Sequence, residues 1–328
     1  MDNKLLEIKE LKVSFFIDKK EARAVDGVNL CLYRGKTVGL VGESGCGKSI
    51  TALSILRLIP SQAQIVGGEI IFEGEDLLKC SNSQLRKIRG GKISMIFQEP
   101  LSSLNPVFTI GNQIYESIRL HQKLSPKEAQ EKVKGLLKLV GIPSPQEQIF
   151  RYPHQLSGGM NQRVMIAMAI ASNPTILIAD EPTTALDVTI QSQVLVLLKE
   201  LQTKLDMAIL LITHDLSIIA QTTDYVSIMY AGKIVEEATT NEIFSHPLHP
   251  YTKGLLESIP KLEKKTKRLP YIPGTVPDNL TSLVGCRFHP RCQDVTSRCT
   301  RQEPDMGKIG DAHQVRCWKY TTALSLFN

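Results

Sequence analysis

The sequence predicts an α/β fold: a mixed β-sheet core with an antiparallel β layer, an inserted helical subdomain and a small cysteine-containing C-terminal extension. Three nearly continuous aliphatic runs predict parallel strands that are covered on both faces. These runs are Thr37 to Val41, Thr175 to Ala179 and Met207 to Thr213. With 328 residues, 42% of them hydrophobic, the chain can build one large core and a second, smaller module.

The antiparallel layer is predicted from short β-rich runs between Leu5 and Phe72. Examples are Leu11 to Ile17 and Val28 to Leu32. The dipeptides Asp26-Gly27 and Arg34-Gly35 are typical of turns and separate these runs. We therefore expect several short strands joined by tight turns.

The helical subdomain is predicted at roughly residues 102–155. Ser125 and Glu128 form a capping box, with a proline between them at the first helical position. Apolar residues at helical spacing follow, and Gly141 ends the helix. The subdomain is expected to project from the sheet within a main domain of residues 1–235.

Residues 236–328 are predicted to form the C-terminal extension, with a helix at Tyr251 to Ser258. The basic and proline-rich segment that begins with Lys261 to Arg268 is typical of a solvated linker.

Composition excludes some classes of protein. No apolar run approaches the roughly 18 residues that a membrane-spanning helix needs. The first ten residues lack the features of a signal peptide, so a cytoplasmic location is expected. A net charge of +6 is too mild to indicate nucleic-acid binding by itself.

A phosphate-binding loop is predicted at Gly42 to Ser49, which reads GESGCGKS between a strand and a helix. In such a loop backbone N–H groups surround phosphate, a lysine neutralises phosphate oxygens and a hydroxyl binds Mg²⁺. Lys48 and Ser49 take these two side-chain roles. The predicted nucleotide-binding residues of this segment are Gly42, Glu43, Ser44, Gly45, Cys46, Gly47, Lys48, Ser49 and Ile50.

Two adjacent carboxylates, Asp180 and Glu181, end the strand that begins at Thr175. They are expected at the carboxyl edge of the sheet, where open α/β folds bind ligands. Asp180 is predicted to hold Mg²⁺ through water. Glu181 is predicted to polarise the attacking water as a general base.

A second anion-binding helix start is predicted at Leu156 to Arg163, which reads LSGGMNQR before an apolar helical run. Small residues there allow close approach of a phosphate. The chain thus carries two phosphate-binding helix starts.

Together, LSGGMNQR, GESGCGKS and ILIADEPTTALD resemble the ATP-binding cassette (ABC) ATPases, and this resemblance covers residues 1 to about 235. It implies a head-to-tail dimer with two composite ATP sites. In each, Ser157, Gly158 and Gly159 of one subunit would close on nucleotide held by the other.

The same resemblance assigns further residues. Gln98 would contact the catalytic Mg²⁺, together with Ser49 and Asp180, and also the membrane subunits. His214 would contact the γ-phosphate. Ala185, Leu186 and Asp187 would form the D-loop. Phe15 is favoured over Phe16 for stacking on adenine.

The extension contains FSHPLHPYTKGLL, IPGTVPD and GCRFHPRC, and it resembles that of the dipeptide- and oligopeptide-transport ATPases. This branch also includes nickel and glutathione importers, which remain alternatives. The resemblance implies a subunit peripheral to the cytoplasmic membrane face. Its partners would be a second ATPase subunit, paralogous or identical, two permeases and, indirectly, an extracytoplasmic peptide-binding protein. The alternative outside transport is an ABC ATPase that acts on nucleic acid.

Four cysteines crowd the C-terminal part with the spacing C-x₅-C-x₆-C-x₁₇-C, unlike the close pairs of structural zinc sites. They are Cys286, Cys292, Cys299 and Cys317. The resemblance implies a 4Fe-4S cluster there, whereas zinc, with His289 and His313 as spare ligands, or no metal remain open. Cys46 is expected to be a tolerated residue that makes the loop sensitive to alkylation.

Overall fold

A computed structural model describes residues 4–17, 20–99, 103–184, 186–259, 271–277, 283–310 and 312–320. The strands in these segments are β1 (Lys4–Ile17), β2 (Lys20–Tyr33), β3 (Thr37–Val41), β4 (Ala63–Phe72), β5 (Glu75–Asp76), β6 (Ile93–Ile96), β7 (Ile176–Asp180), β8 (Ala208–Thr213), β9 (Tyr225–Tyr230), β10 (Lys233–Thr239), β11 (Gly307–Lys308) and β12 (Gln314–Val315). The helices are α1 (Lys48–Ile55), α2 (Asn82–Ile88), α3 (Ile110–His121), α4 (Pro126–Leu139), α5 (Pro145–Gln148), α6 (Gly158–Ile170), α7 (Val188–Leu205), α8 (Leu216–Thr222), α9 (Thr240–Ser245) and α10 (Pro250–Glu257). Two 3₁₀ turns lie at Pro153–Gln155 and His289–Arg291.

The described residues divide into two compact units. Unit 1 comprises residues 33–36 and 79–211, and unit 2 comprises residues 4–32, 37–78 and 212–320. None of the helices described is both long enough and apolar enough to cross a bilayer.

Unit 2 contains the predicted antiparallel layer, a sheet with the strand order β2-β1-β4-β5. β1 and β4 are antiparallel, with Phe15 opposite Ala63. The strands are longer than predicted because Asp26-Gly27 is not a turn: both residues lie inside β2, where Gly27 has φ 75°. Asp26 donates its N–H to the carbonyl of Gly232 at 2.9 Å, a long-range bond that satisfies this backbone group.

The second sheet of unit 2 has the order β11-β12-β10-β9-β3. β3 is parallel to β9, whereas β10 is antiparallel to both β9 and β12, so the sheet is mixed as predicted. All five residues of β3 are buried. The predicted boundary between residues 235 and 236 falls within β10, and the extension contributes β12 to this sheet.

The helix after the phosphate-binding loop is shorter than the sequence predicts. The periodic apolar residues after Lys48 predict a helix that runs up to Pro60, whereas α1 ends at Ile55. Two residues later Arg57 has a left-handed φ of 50°, which an α-helix cannot continue through. Helical periodicity alone therefore overestimates this helix by about one turn.

Unit 1 contains the parallel pair β6 and β7, and β8 begins in this unit and ends in unit 2. β7 and β8 are buried throughout, as their aliphatic runs predict. The Arg34-Gly35 turn is also confirmed, since Lys36 donates its N–H to the carbonyl of Tyr33 at 3.1 Å.

The inserted helices of unit 1 are α3, α4 and α5, and both α3 and α4 pack against α6. The predicted capping box is confirmed: the Ser125 hydroxyl accepts the N–H of Glu128, and the Glu128 carboxylate accepts the N–H of Ser125. Gly141, with φ 74°, follows the last helical turn. Ser102, the predicted start of the insert, lies outside the described residues.

Candidate functional site

The loop from Gly42 to Ser49 joins β3 to α1, and its glycines are required by close contacts. A Cβ on Gly42 would lie 2.1 Å from the carbonyl oxygen of Met229. Gly47 has φ 108°, and a Cβ there would lie 2.5 Å from the carbonyl oxygen of Ala24. Gly45, with φ 79°, has open space where a Cβ would be, so its backbone is accessible to a ligand.

Lys48 lies across this loop and is buried. Its Nζ donates to the carbonyl oxygens of Gly42 at 2.7 Å and of Glu43 at 2.9 Å. A buried ammonium that donates to two carbonyls is favourably placed for an anion, because a phosphate would supply the opposite charge. With the start of α1, this arrangement fits the phosphates of a nucleotide. Ser49 and Ile50 lie half-buried in the first turn of α1.

Cys46 is buried inside the loop, with its Sγ 3.8 Å from Lys48 Nζ. Burial raises the pKa of this thiol, although Lys48 acts in the opposite direction. Since the thiolate is the reactive form, we now expect Cys46 to react slowly with alkylating reagents. The structure thus reverses the sensitivity expected from the sequence.

In unit 1 the structure brings Gln98 and Glu181 together. Glu181 follows Asp180, the buried last residue of β7, and has a left-handed φ of 47°. The Glu181 carboxylate accepts hydrogen bonds from Gln98 Nε2 at 2.9 Å and from Thr184 Oγ1 at 2.8 Å. These two bonds fix the direction of the carboxylate. Sequence reasoning missed Thr184, although hydroxyl residues two and three positions after a carboxylate pair are a usable signal.

The second predicted helix start is also present in unit 1. Ser157 caps α6, because its hydroxyl accepts the N–H of Met160 at 3.3 Å. Gly158 and Gly159 are the first helical residues, and a Cβ on Gly159 would lie 2.8 Å from Ile190 Cγ2. The small residues therefore serve packing as well as access.

Asp187 of the predicted D-loop caps α7, with its Oδ1 accepting the N–H of Ile190 at 2.9 Å. This capping gives Asp187 a structural role besides the predicted one. Ala185, another D-loop residue, lies outside the described residues.

His214 and the two candidate aromatics lie in unit 2. His214 lies directly after the buried strand β8, as predicted, and its side chain is exposed. Phe15 is half-buried and Phe16 is 42% exposed, so neither side chain is fully buried. The preference for Phe15 stays a prediction.

The four C-terminal cysteines line one cavity of about 570 Å³ in unit 2. Cys286 donates its N–H to the carbonyl of Cys299 at 2.8 Å. Burial raises the pKa of the Cys286 thiol to about 12, and the other three thiols contribute to the rise. Four thiol donors around one cavity fit a thiolate-ligated group, whose positive charge would act against this rise in pKa.

A single metal ion fits these residues less well. No group of three His, Cys, Asp or Glu side chains within the described segments is close enough to hold one ion. All seven cysteines are described, and none forms a disulfide. His313, a spare ligand in the zinc alternative, instead contacts buried Glu236 at 2.8 Å, whereas His289 does line the cavity.

Comparisons with known proteins agree with this arrangement. Residues 25–184 match the family model described as ABC transporter, and residues 235–299 match the one described as oligopeptide/dipeptide transporter, C-terminal region. The chain is 48% identical over 324 residues to a probable peptide ABC transporter ATP-binding protein, y4tR, of Sinorhizobium fredii, covering 98% of this chain and 97% of the relative. It is 49% identical to the dipeptide transport ATP-binding protein DppD of Bacillus subtilis, covering 96% and 94% respectively.

Solved structures give the same fold. The post-hydrolysis dimer of the ATP-binding cassette MJ0796 with ADP and phosphate matches with a TM-score of 0.64 and 26% identity, covering 72% of this chain and 99% of that one. CbiO1 of Clostridium perfringens, part of an ABC transporter complex, matches with a TM-score of 0.64 and 27% identity over 75% and 92%. The predicted ABC-type α/β fold with its additional extension is therefore confirmed. This chain belongs to the ABC transporter family, as an ATP-binding subunit of the dipeptide/oligopeptide transporter type.

Proposed function

We propose that the chain binds MgATP and hydrolyses it as one half of a head-to-tail dimer, to power the import of dipeptides or oligopeptides. The observation that carries this proposal is the loop Gly42 to Ser49, whose close-packed glycines and buried Lys48 fit a triphosphate. The two matched family regions, one of them specific to peptide transporters, support it.

Nucleotide binding is assigned to the residues that the sequence predicted for it. Lys48 neutralises phosphate oxygens, while Ser49, Asp180 and Gln98 hold Mg²⁺ directly or through water. The ion screens phosphate charge when bound. Phe15 stacks on adenine.

Hydrolysis is assigned to Glu181, which takes a proton from the attacking water. The hydrogen bonds from Gln98 and Thr184 hold its carboxylate in one orientation before substrate arrives. His214 donates to the γ-phosphate and stabilises the charge that develops there. Release of the cleaved phosphate then reopens the dimer.

The composite site is completed by the partner subunit. The N-terminus of α6, with Ser157, Gly158 and Gly159, points free N–H groups at the γ-phosphate of the opposite subunit. Asp187 lies in the segment that faces the partner. The solved structure of a dimeric cassette with ADP and phosphate supports this arrangement. The physiological second subunit is a paralogue, with an identical chain as the alternative.

Exposed apolar side chains of the helical insert support docking to permeases. Val107 is 71% exposed and Phe150 is 70% exposed, and Phe108 is exposed as well. Ile110 donates its N–H to the carbonyl of Arg151 at 2.9 Å, which brings the two segments side by side. Such an apolar surface favours a protein partner. The subunit would thus sit peripherally at the cytoplasmic face, coupled to two permeases and an extracytoplasmic peptide-binding protein.

A 4Fe-4S cluster is proposed for the cysteine cavity. Four thiols that line one cavity are the supporting observation. The cluster would stabilise the fold of the extension and take no part in ATP chemistry. Anaerobically purified protein should contain iron and sulfide in stoichiometric amounts, and stoichiometric zinc without iron would contradict the cluster.

Native affinity purification tests the function. Polytopic membrane subunits should co-purify, and MgATP hydrolysis should depend on Lys48, so Lys48→Ala should be inactive. Co-purifying nucleic acid without membrane subunits would favour the rival ABC ATPase class. Transport assays with the reconstituted complex would then separate peptides from nickel or glutathione as the solute.

A further inference from the structure

The second residue of the phosphate-binding loop is held by the C-terminal extension. Glu43 donates its backbone N–H to the hydroxyl oxygen of Tyr251 at 2.9 Å. Its carboxylate oxygens lie 3.0 and 3.1 Å from Nη1 of Arg291. Tyr251 is fully buried and the Arg291 side chain is 5% exposed. The loop is therefore anchored by two buried groups that lie more than 200 residues away.

Arg291 is itself fixed on its other side. Its Nε donates to the carbonyl of Pro273 at 2.8 Å, and its Nη2 donates to that of Ile272 at 3.2 Å. The guanidinium also lies over the ring of Tyr230, 5.7 Å from the centroid. Within the described segments, Glu43 is the carboxylate that pairs with this buried cation. Losing that partner would leave a buried charge uncompensated, so the pair constrains the position of Glu43.

Tyr251 is fixed by aromatic packing. Its ring centroid lies 4.7 Å from that of Tyr230 and 5.4 Å from that of Phe288. Phe288 and Arg291 both belong to the five residues between Cys286 and Cys292. One short segment, residues 287–291, thus contacts Glu43 directly and also supports Tyr251.

The same segment reaches the loop by a third route. Arg287 donates to the carbonyl of Ala231, and the next residue, Gly232, donates its N–H to the carbonyl of Cys46 at 2.8 Å. Arg287 also pairs with Asp26. Three of the five residues between Cys286 and Cys292 are therefore linked to the phosphate-binding loop, either through a side chain of the loop or through one intervening residue or dipeptide.

We infer that residues 287–291, the cysteine-loop brace, position the phosphate-binding loop for nucleotide, with Arg291 as a positioning residue that acts through Glu43. The inference rests on the proposed assignment of Gly42 to Ser49 to ATP. The extension would then have a second role, positioning the loop, besides stabilising its own fold.

The brace affects binding more than chemistry. A loosened loop binds the phosphates more weakly, by the same factor in the ground state and in the transition state. This raises KM and leaves kcat nearly unchanged. A catalytic residue such as Glu181 would show the opposite pattern. The split between KM and kcat therefore distinguishes positioning from catalysis.

The experiment measures MgATP affinity and steady-state kinetics on the purified full-length chain. Arg291→Met removes the charge but keeps an apolar stem against Tyr230. It should raise the dissociation constant roughly tenfold, the order expected for one lost charge-assisted hydrogen bond. Glu43→Gln should do nearly the same, and the double variant should be no weaker than Arg291→Met, because both remove one interaction. Arg301→Met, an exposed arginine of the same extension, is the matched control and should bind like the wild type.

The possible outcomes distinguish failure of the proposed function from failure of the cysteine-loop brace. Failure of the wild type to bind MgATP would overturn the proposed function itself. Normal wild-type binding, with Arg291→Met and Glu43→Gln both within twofold of it, would overturn the brace alone. Weak MgATP binding by Arg291→Met, together with wild-type affinity in Glu43→Gln, would also overturn the brace, since Arg291 would then act only on folding. Thermal denaturation and metal content of each variant accompany the binding data, and additive losses in the double variant count against the inference.

Discussion

Glu181→Gln is the substitution that tests the proposed general base most directly. Gln98 and Thr184 both donate to Oε2 of Glu181, and a glutamine oxygen can accept both hydrogen bonds. The left-handed φ of 47° is a backbone property that the substitution does not alter. The change therefore removes the proton acceptor and leaves the local structure intact.

The expected loss follows from the role of Glu181. A positioned general base contributes about 10²- to 10⁴-fold, so we expect a rate roughly 10³-fold lower. This corresponds to about 4 kcal/mol of activation free energy, from about 1.36 kcal/mol for each factor of ten. Binding of MgATP should stay near the wild-type level, because Lys48 and its loop are untouched.

Single-turnover hydrolysis of radiolabelled ATP measures the chemical step, and light scattering after gel filtration measures association. The variant should accumulate as a dimer in MgATP, since it binds nucleotide and fails to cleave it. Glu147→Gln, the same change at an exposed position in α5, is the control and should hydrolyse normally. Hydrolysis by Glu181→Gln within tenfold of the wild type would refute the assignment of the base.

Three further outcomes are expected. Gly42→Ala should abolish MgATP binding in equilibrium titrations, because its Cβ would lie 2.1 Å from the Met229 carbonyl oxygen. Ser125→Ala should lower the free energy of unfolding by about 1 kcal/mol in urea denaturation, since an N-cap is lost. Burial lowers the pKa of His249 to about 3, so the unfolded chain binds the extra proton first and stability should fall as pH drops from about 6.5 toward 3. In His249→Asn this part of the pH dependence of the urea midpoint should disappear; an unchanged slope would contradict it.

The parts of the fold that local chemistry dictates could be predicted from the sequence. The capping box at Ser125 and the N-cap at Ser157 lie where their side chains indicate, because capping depends only on residues within one turn. The buried strands β3, β7 and β8 follow from continuous aliphatic runs. Adjacent residues carry all the information that these features need.

Features that depend on distant partners could not be predicted. Asp26-Gly27 has the composition of a turn, yet β2 continues through it, and Asp26 there bonds Gly232 and pairs with Arg287. No periodicity relates residues so far apart along the chain. The hydrogen bond from Gln98 to Glu181 is similarly long-range, and the sequence predicted both residues without their contact.

The phosphate-binding motif itself explains why Glu43 is available to the extension. Its intervening positions contribute backbone N–H groups, and the motif leaves their side chains free. Here the N–H of Glu43 is donated to Tyr251 and the carboxylate is paired with Arg291. We therefore expect phosphate to be held by the later N–H groups of the loop and by Lys48. Glu43 then fixes the end of the loop that does not touch phosphate, and a distant module can adjust the loop there without blocking nucleotide.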